Sequence, residues 1–512
     1  MPAEQPMYLE LDGDGPLHAQ LTRALKAAMR GGACGGTRLP PTRLLAQELG
    51  LSRNTVLAAY EQLRAEGFID GRTGSGSYIA HPLPEAPPPP PVVQQEIGPQ
   101  SVRARRMRDC HDHSAIPGRD VTGAVHSFQY GVPMTNPALT TAWARELSRA
   151  AQYTSPKYPP SQGLLALREA TCDYLARRRG VHVSPQDILI VGGTQQAIAL
   201  IADVLLDPGD TVAIEEPHYD AIRKVLLSRG ASMQAVGVDA QGLVVGEIVQ
   251  RRTKLVCVTP SHQFPTGAVM SLRRRTELLG HASRTGAWIF EDDYDGEFRY
   301  EGKPVPALRS LDRDNRVVYV GTFSKAMFPA LRLGYLVMPP QLRRDFIAAK
   351  WMADFSSPGI EQAALAHFIA SGGFERHLRL TAQQLKLRRE ALIDGLRACS
   401  RGRLQIEDSQ AGMHLVVWLP GRGDAQVDAL VRHAQGQGLG LYSIAPYYLR
   451  PQDRGGLLMG FGGLSVPQIE QALVLFRQSL DAVFPVLSAM QPPRRPVQRP
   501  TMRNRRGRSR AS

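Results

Sequence analysis

Two strand-like runs in the middle of the chain end in polar side chains, and this pairing constrains the fold most strongly. Residues 287–290 are apolar and lead into Glu-Asp-Asp-Tyr at 291–294, and residues 317–320 are apolar and lead into Gly-Thr-Phe-Ser-Lys at 321–325. Short apolar runs of this length are typical of buried strands. Open α/β sheets bind ligands at the carboxyl ends of their strands. The sequence therefore predicts an α/β domain, with a parallel, doubly wound sheet, that gathers an acid, a phenol and an amine at one edge.

These side chains suit an aldehyde cofactor that carries a pyridine ring and a phosphate. The amine of Lys325 can form a Schiff base with an aldehyde, and the carboxylate of Asp292 can keep a pyridine nitrogen protonated. Hydroxyl and guanidinium groups that follow the second strand are expected to hold the phosphate: Thr322, Ser324 and Arg332. The alternative is a surface lysine beside an acidic loop, because exposed lysine is the norm.

The alternation of side chains along a strand distinguishes the two neighbouring aspartates. Residues two apart share a face of a strand, so Asp292 is expected to lie on the same side as Tyr294, whose hydroxyl is a candidate hydrogen-bond donor to the ring oxygen. Asp293 is expected to point away.

A glycine-led turn upstream is a further candidate for the phosphate. Residues 187–191 are strand-like and run into Gly-Gly-Thr-Gln at 192–195. Backbone amides and the helix dipole at such a turn favour an anion, although most turns of this kind bind nothing. The candidate residues here are Gly193, Thr194 and Gln195.

The first 80 residues predict a winged helix-turn-helix. Apolar residues recur at helical spacing from Leu17, and a short second helix and a third helix capped by Ser52 follow. Two strand-like runs, 68–70 and 77–80, are bridged by a glycine-rich turn that contains Arg72, and they predict a hairpin, or wing.

The start of the third helix carries residue types that reach base edges and phosphates from a recognition helix: Ser52, Arg53, Asn54 and Thr55. Residues 1–80 contain eight basic and eight acidic residues, so DNA affinity would depend on local placement and on dimerisation. A helical bundle that contacts no DNA is the alternative.

Composition supplies the remaining boundaries. The winged unit is predicted at 10–80, a proline-rich linker with a disorder-like continuation at 81–125, and the α/β domain at 126–486, with a smaller α+β part near its end. Eight arginines and no acidic residue lie between Arg494 and Arg510. This composition predicts a basic disordered tail at 487–512.

Several classes of protein are disfavoured by what the sequence lacks. The sequence contains no run of about 18 apolar residues, so no membrane span is predicted. The N-terminus has no signal-peptide pattern. Five cysteines without paired spacing favour a reducing cytoplasm. His111, Asp112 and His113 stand in a polar segment without further ligands, so no metal site is predicted.

Three motifs, TPSHQFPTG at 259–267, EDDY at 291–294 and GTFSK at 321–325, resemble those of the MocR family. This family is a branch of the GntR transcription regulators in which a winged helix-turn-helix is fused to an aminotransferase-like domain. The pattern Leu-Pro-x-x-Arg-x-Leu-Ala at 39–46, followed by Leu-Gly-x-Ser-Arg-x-Thr-Val at 49–56, is similar to the GntR winged domain.

The resemblance implies a three-layer fold type I transferase domain with a small C-terminal α+β subdomain, and a pyridoxal 5'-phosphate cofactor. It implies a head-to-tail homodimer that binds operator DNA and senses a small-molecule effector. It also implies roles for three further residues: Tyr219 stacks on the cofactor ring, Tyr158 crosses to the neighbouring subunit's cofactor phosphate, and Arg43 joins the DNA contacts.

One departure from the family pattern concerns the effector. Relatives that process amino acids place an arginine for the substrate carboxylate late in the chain, where this sequence aligns Leu458. An apolar side chain cannot offset the desolvation of a carboxylate. The departure predicts that the effector is the B6 cofactor itself rather than an amino acid, unless Arg223, Arg450 or Arg454 reaches the site.

Three functions remain open at this stage. The first is a transcription regulator that senses pyridoxal phosphate, an amine or an amino acid through its aminotransferase-like domain, with at most part of a transamination reaction retained. The second is a genuine aminotransferase with an attached DNA-binding domain, which turnover with an amino donor would favour. The third is a passive DNA-binding protein whose sheet only scaffolds dimerisation, which absence of the cofactor would favour.

Overall fold

The computed structural model describes residues 9–30, 36–72, 76–80, 100–112, 121–134, 136–249, 252–300, 306–450, 452 and 454–485. The chain forms two compact units, Met1–Gly98 and Pro99–Ser512. The predicted basic tail lies outside the described residues, as does nearly all of the proline-rich stretch that begins at residue 81.

The N-terminal unit has the predicted winged helix-turn-helix architecture. Its elements are α1 (Leu17–Arg30), α2 (Thr42–Glu48), α3 (Arg53–Ala65), β1 (Ile69–Arg72) and β2 (Gly76–Ile79). The two strands pair in antiparallel register. Apolar faces of the three helices and the inner side of the wing form one core that includes Leu21, Leu25, Val56, Leu63 and Ile79.

The second unit begins with α4 (Val102–Asp112), β3 (His126–Ser127), α5 (Pro137–Tyr153), α6 (Leu165–Arg179), β4 (Ile188–Val191), α7 (Thr194–Leu205), β5 (Thr211–Glu216), α8 (Asp220–Ser228), β6 (Ser232–Asp239), β7 (Gly242–Leu243), β8 (Thr253–Val258), α9 (Leu272–Thr285) and β9 (Trp288–Asp293). It continues with α10 (Leu308–Leu311), β10 (Val317–Thr322), β11 (Gly334–Val337), α11 (Arg343–Asp354), α12 (Gly359–Ala370), α13 (Gly373–Ser400), β12 (Gln405–Glu407), β13 (His414–Trp418), α14 (Asp424–Gly436), β14 (Leu439–Gly440), β15 (Gly456–Gly460) and α15 (Val466–Val483).

The central sheet has eight strands in the order β4-β11-β10-β9-β8-β5-β6-β7. Strands β10, β9, β8, β5 and β6 run parallel, as predicted. The expectation of an all-parallel sheet is wrong for β11 and β7, which are antiparallel to their neighbours. Only residues 323–333 separate β10 from β11, a connection shorter than the crossover of a dozen or more residues that parallel strands need. Helices cover both faces, which gives the three-layer architecture.

The stretch after residue 100 differs from the sequence prediction. Residues 102–112, assigned to a disorder-like linker, form α4, which packs against α8. Ser101 Oγ accepts a hydrogen bond from Ala104 N at 3.0 Å, and Arg103 pairs with Asp203 at 3.6 Å. The helix has almost no apolar stripe, so its order depends on these tertiary contacts rather than on a periodicity visible in the sequence.

The smaller C-terminal subdomain also forms as predicted. Strands β12, β13 and β15 make an antiparallel sheet, and the 28-residue helix α13 lies against α15. Among the described residues, no helix is long and apolar enough to cross a membrane.

The segment before α5 is held against β15 at a glycine. Gly460 N donates to Phe128 O at 2.8 Å, and a β-carbon at Gly460 would lie 2.1 Å from the backbone oxygen of Gln129. This close approach fixes the path of residues 128–131.

Replacing Gly460 by Ala should therefore lower the free energy of unfolding of the second unit by about 1–3 kcal/mol, because backbone must move to admit the methyl group. Urea unfolding followed by circular dichroism measures the loss. Gly436→Ala is the control, because a β-carbon there meets nothing within 4 Å. Equal stability of the two variants would contradict the close approach.

Candidate functional site

The ends of β9 and β10 open onto a cavity of about 290 Å³. The parallel register places Asp292 opposite Val320, so the motif after each strand reaches the same edge of the sheet. The lining brings together most of the predicted site residues: Thr194, Gln195, Tyr219, Asp292, Tyr294, Thr322, Ser324, Lys325 and Arg332.

Lys325 lies directly after β10, with its amine in the cavity. Its Nζ donates to Gly131 O at 2.5 Å. Burial lowers the pKa of the amine, while the carboxylates of Asp295 and Asp292 raise it by less. A lowered pKa increases the fraction of neutral amine, which is the nucleophilic form.

Asp292 is buried at the bottom of the cavity, and its Oδ1 has no hydrogen-bond partner among the described residues. Burial raises the pKa of this carboxyl group to about 8, with the nearby acids Asp293, Asp295 and Glu215 adding to the effect. A protonated ring nitrogen would supply the cationic donor that this carboxylate lacks.

Asp293 faces the other side of the strand, as the alternation predicts. It forms a buried ion pair with Arg179 and accepts a hydrogen bond from Tyr319 Oη. Arg179 also donates to Ser261 Oγ at 2.6 Å and to Gly296 O at 3.0 Å. The buried arginine thus joins the segments before and after the two acids.

The N-terminus of α7 and Arg332 form a cradle for an anion. Gly193 caps α7 with a φ of 101°, and a β-carbon there would lie 3.3 Å from Arg332 Nη2. Ser324 Oγ is buried without a described partner. Arg332 itself has a left-handed φ of 49°, a conformation of moderate cost that recurs at functional sites. Amides, hydroxyls and a guanidinium fit a phosphate.

The predicted ring-oxygen partner has one hydrogen bond in the structure. Tyr294 Oη lies 2.9 Å from His262 Nδ1, and the same nitrogen lies 2.9 Å from Asp295 Oδ2. The amide of nearby Gln263 is bonded to Glu215, Pro217 and Thr266. Tyr294 lines the cavity and Gln263 does not, so Tyr294 is the better candidate for the ring oxygen.

His262, Asp295 and His414 form a buried group whose ligand-type atoms lie within 4.8 Å of one another. Within this group, His262 Nδ1 lies 2.9 Å from Asp295 Oδ2. His414 Nε2 donates outside the group, to Pro265 O at 3.0 Å. The short histidine-rich run at 111–113 ends at a residue outside the described ones.

Two predicted cofactor residues lie outside this lining. Gly193 lies against the guanidinium group of Arg332, next to the anion cradle. Tyr158 is 84% exposed and packs edge-on against Phe355 at 5.2 Å between ring centroids, away from this cavity.

Sequence reasoning did not find the other wall of the cavity: Tyr130, Gly131, Thr259, Phe264, Asp295, Pro329, Met413 and His414. Thr259 and Phe264 belong to the motif at 259–267, and Asp295 directly follows the motif at 291–294, so these three residues could have been found from the sequence. Tyr130 and His414 come from segments that are far apart in the sequence, and no motif around either residue indicates a binding site.

No cationic side chain replaces the missing carboxylate-binding arginine among the described lining residues. Leu458 is fully buried in β15. Arg223 pairs with Asp220, and Arg454 lies over the ring of Trp418 at 4.3 Å and donates to Gln405. Arg450 is exposed and does not line the cavity.

The winged unit presents a polar surface around the start of α3. Arg43, Arg53 and Asn54 are exposed. Ser52 caps α3, because its Oγ accepts a hydrogen bond from Thr55 N at 3.1 Å and lies 2.8 Å from Thr55 Oγ1. Both side chains therefore support the start of the helix. Arg72 ends β1, and its side chain is not among the described ones. Arg38 and Arg64, which were not predicted, lie against the wing glycines Gly76 and Gly71.

Comparison with known proteins matches both units. Residues 129–443 match the family model for aminotransferase class I and II, and residues 18–79 match that for bacterial regulatory proteins of the gntR family. The chain is 35% identical to the probable rhizopine catabolism regulatory protein MocR of Rhizobium meliloti, over 93% of this chain and 96% of that protein.

A second relative is the pyridoxine biosynthesis transcriptional regulator PdxR of Corynebacterium glutamicum, 30% identical over 90% of this chain and 95% of that protein. Among solved structures, α-aminoadipate aminotransferase LysN of Thermus thermophilus, complexed with N-(5'-phosphopyridoxyl)-L-leucine, shares the fold. It has a TM-score of 0.66 and 23% identity and covers 75% of this chain and 97% of its own.

Asp292→Asn should stabilise the cofactor-free protein, and the gain should grow as pH rises. The pKa of Asp292 is about 8 when folded and ~3.9 when unfolded. Between these values the folded carboxyl group holds a proton that the unfolded one has lost, so wild-type stability falls with rising pH. Asparagine lacks this titration. Urea unfolding at pH about 5 and about 8 measures the difference.

Asp293→Asn is the matched comparison. This change breaks a buried ion pair with Arg179, so it should cost about 3–5 kcal/mol. If the two variants change stability alike, the two aspartates do not face opposite sides of β9.

Proposed function

The chain belongs to the MocR branch of the GntR-type transcription regulators, and on that premise we propose that ligand binding in the Lys325 cavity controls operator binding by the winged unit. The observation that carries the proposal is a single cavity that unites an amine, an unpartnered carboxylate and an anion cradle, in a chain that also has a gntR-type unit.

Pyridoxal 5'-phosphate is the cofactor of this fold, and the cavity's residues fit it. When bound, this group supplies an aldehyde that condenses with amines and a ring that accepts electrons. We assign Lys325 to the aldehyde, Asp292 to the ring nitrogen, Tyr294 to the ring oxygen and Tyr219 to the ring face. The phosphate is assigned to Gly193, Thr194, Gln195, Thr322, Ser324 and Arg332.

Each chain residue has a task that its surroundings support. Burial lowers the pKa of Lys325 and so increases the fraction of neutral, nucleophilic amine. Asp292, which is buried without a partner, holds a proton at the ring nitrogen. Arg332 and the amides of α7 orient the phosphate, while Phe264 and Tyr219, whose ring centroids lie 5.5 Å apart, exclude water from the ring.

A second copy of the chain is proposed to complete the site in a head-to-tail dimer. Tyr158 and Phe355 lie in an exposed aromatic group with Trp351, and Met352 beside them is 79% exposed. Large exposed apolar groups of this kind mark interfaces. In the dimer, Tyr158 of each subunit would reach the other subunit's phosphate cradle.

A regulator fits better than a genuine aminotransferase. The relatives at 30% identity or more that cover nearly the whole chain are regulators, and the cavity lacks an arginine for an amino-acid carboxylate. The proposed setting is the cytoplasm, at operator DNA on the nucleoid. Arg53 and Asn54 would read bases, with Arg43, Ser52, Thr55 and Arg72 at the phosphates.

The primary ligand is proposed to be the cofactor itself. A footprint on the protein's own promoter should change when pyridoxal phosphate is added, and amino acids should add nothing further. An amino-acid effect on the loaded protein, together with no effect of pyridoxal phosphate, would reverse this assignment.

Lys325→Ala should abolish the visible absorption band of the purified protein, because the replacement has no amine to bind the aldehyde. Borohydride reduction should fix the cofactor covalently to the protein, and peptide mapping should find the attached pyridoxyl group on Lys325 in the wild type. Lys386→Ala, at a surface position of α13, serves as control and should retain the band. Labelling of any other lysine would refute the assignment.

Arg53→Ala should lower operator affinity, because Arg53 is exposed at the start of α3. The expected loss is about 1–3 kcal/mol if the side chain contacts a base, with a shallower salt dependence if it contacts only phosphate. Gel-shift titrations at several salt concentrations separate the two cases. Arg397→Ala, on the exposed face of α13 in the second unit, provides a control, and unchanged affinity in both would remove Arg53 from the interface.

A further inference from the structure

We propose that the loaded cavity recognises a cationic amine that carries no carboxylate group. This ligand class rests on the proposed function, because it assumes that the cofactor occupies the cradle. The inference concerns the wall beyond Lys325, where Tyr130, Phe264, Asp295 and His414 meet.

One acidic residue of the cavity has no partner among the charged groups of the cofactor. Among the described lining residues, the acids are Asp292 and Asp295 and the cations are Lys325 and Arg332. With the cofactor bound as assigned above, Arg332 would hold the phosphate, Asp292 would bind the ring nitrogen and Lys325 would bind the aldehyde. Asp295 is the one charged lining residue without a counterpart on the cofactor.

Asp295 is able to accept a donor from a ligand. The residue is 1% exposed, its Oδ2 is bonded to His262 Nδ1 at 2.9 Å, and its Oδ1 has no described partner. A buried carboxylate oxygen without a donor is costly. An ammonium group with its three donors would satisfy it.

Aromatic rings that line the same cavity as Asp295 also favour a cation. The ring of Phe264 lies 5.9 Å from that of Tyr130 and 6.0 Å from that of Tyr294, at tilted and edge-on angles. Aromatic faces attract alkylammonium groups through their quadrupoles. An acid and converging rings are together suited to a desolvated amine.

The same wall offers nothing to a carboxylate. Burial and the neighbouring His262 lower the pKa of His414 to about 3, so its ring is neutral at pH 7. Leu458 is buried among Tyr130, Phe264 and Tyr447. A carboxylate would be desolvated here without a cation and would be repelled by Asp295.

Matched ligand pairs test the proposal directly. Each pair differs by one carboxyl group: phenethylamine with phenylalanine, putrescine with ornithine, and cadaverine with lysine. The full-length protein loaded with pyridoxal phosphate is titrated with each compound. Shifts in the thermal unfolding midpoint and in the visible spectrum are recorded, and 2-phenylethanol serves as the uncharged control.

We expect at least one amine to bind about tenfold or more tightly than its amino acid, with no shift from the alcohol. Asp295→Asn should weaken binding of that amine about tenfold, while Asp314→Asn, at an exposed position, should not. Leu458→Arg should reduce the difference in affinity between each amine and its amino acid, because the new guanidinium group can pair with the carboxylate.

The proposal is overturned if amino acids bind as well as their amines, or if no amine shifts either signal. The visible band and operator binding of the ligand-free loaded protein report separately on the proposed function. If the visible band or operator binding is absent, the proposed function is refuted. If both are present and each amine binds no more tightly than its amino acid, only the proposed ligand class is refuted.

Discussion

The burial of the Asp292 carboxylate without a partner is the constraint on which the site depends. An unpaired acid at the end of a central strand is unfavourable in the isolated protein, and its pKa rises accordingly. The surrounding structure holds it in place. Asp293 is anchored on the opposite face by Arg179, which also binds the segments on either side. On the proposed assignment, a protonated ring bound at this carboxylate would remove that unfavourable contribution and so bind more tightly.

A second consequence follows from placing two acids next to each other on one strand. The pleat of β9 separates them, so that Asp293 serves the core and Asp292 serves the cavity. The core acid is paired with Arg179, whereas Oδ1 of the cavity acid has no hydrogen-bond partner among the described residues. On the proposed assignment, stability and cofactor binding therefore depend on different side chains, although the two residues are adjacent in the sequence.

The sequence predicted the elements whose physics is local. The apolar runs at β9 and β10, the Ser52 cap and the glycine-led start of α7 each combine a short pattern with a known geometry. Helix α4 was missed because its arginine-rich sequence has no apolar stripe and its order comes from contacts with α8. The reversed direction of β11 depends on the length of a loop, and the wall formed by Tyr130 and His414 depends on segments almost 300 residues apart.

The two halves of the cavity come from different parts of the fold. The anion cradle and the acid arise from β4, α7, β9 and β10, whereas much of the opposite wall comes from the segment at 130–131 and the start of β13. Substitutions in the smaller subdomain can therefore alter the choice of ligand without disturbing the chemistry of the cradle. On the proposed function, this arrangement would let duplicated genes diverge in the ligand that they sense while keeping the same cofactor.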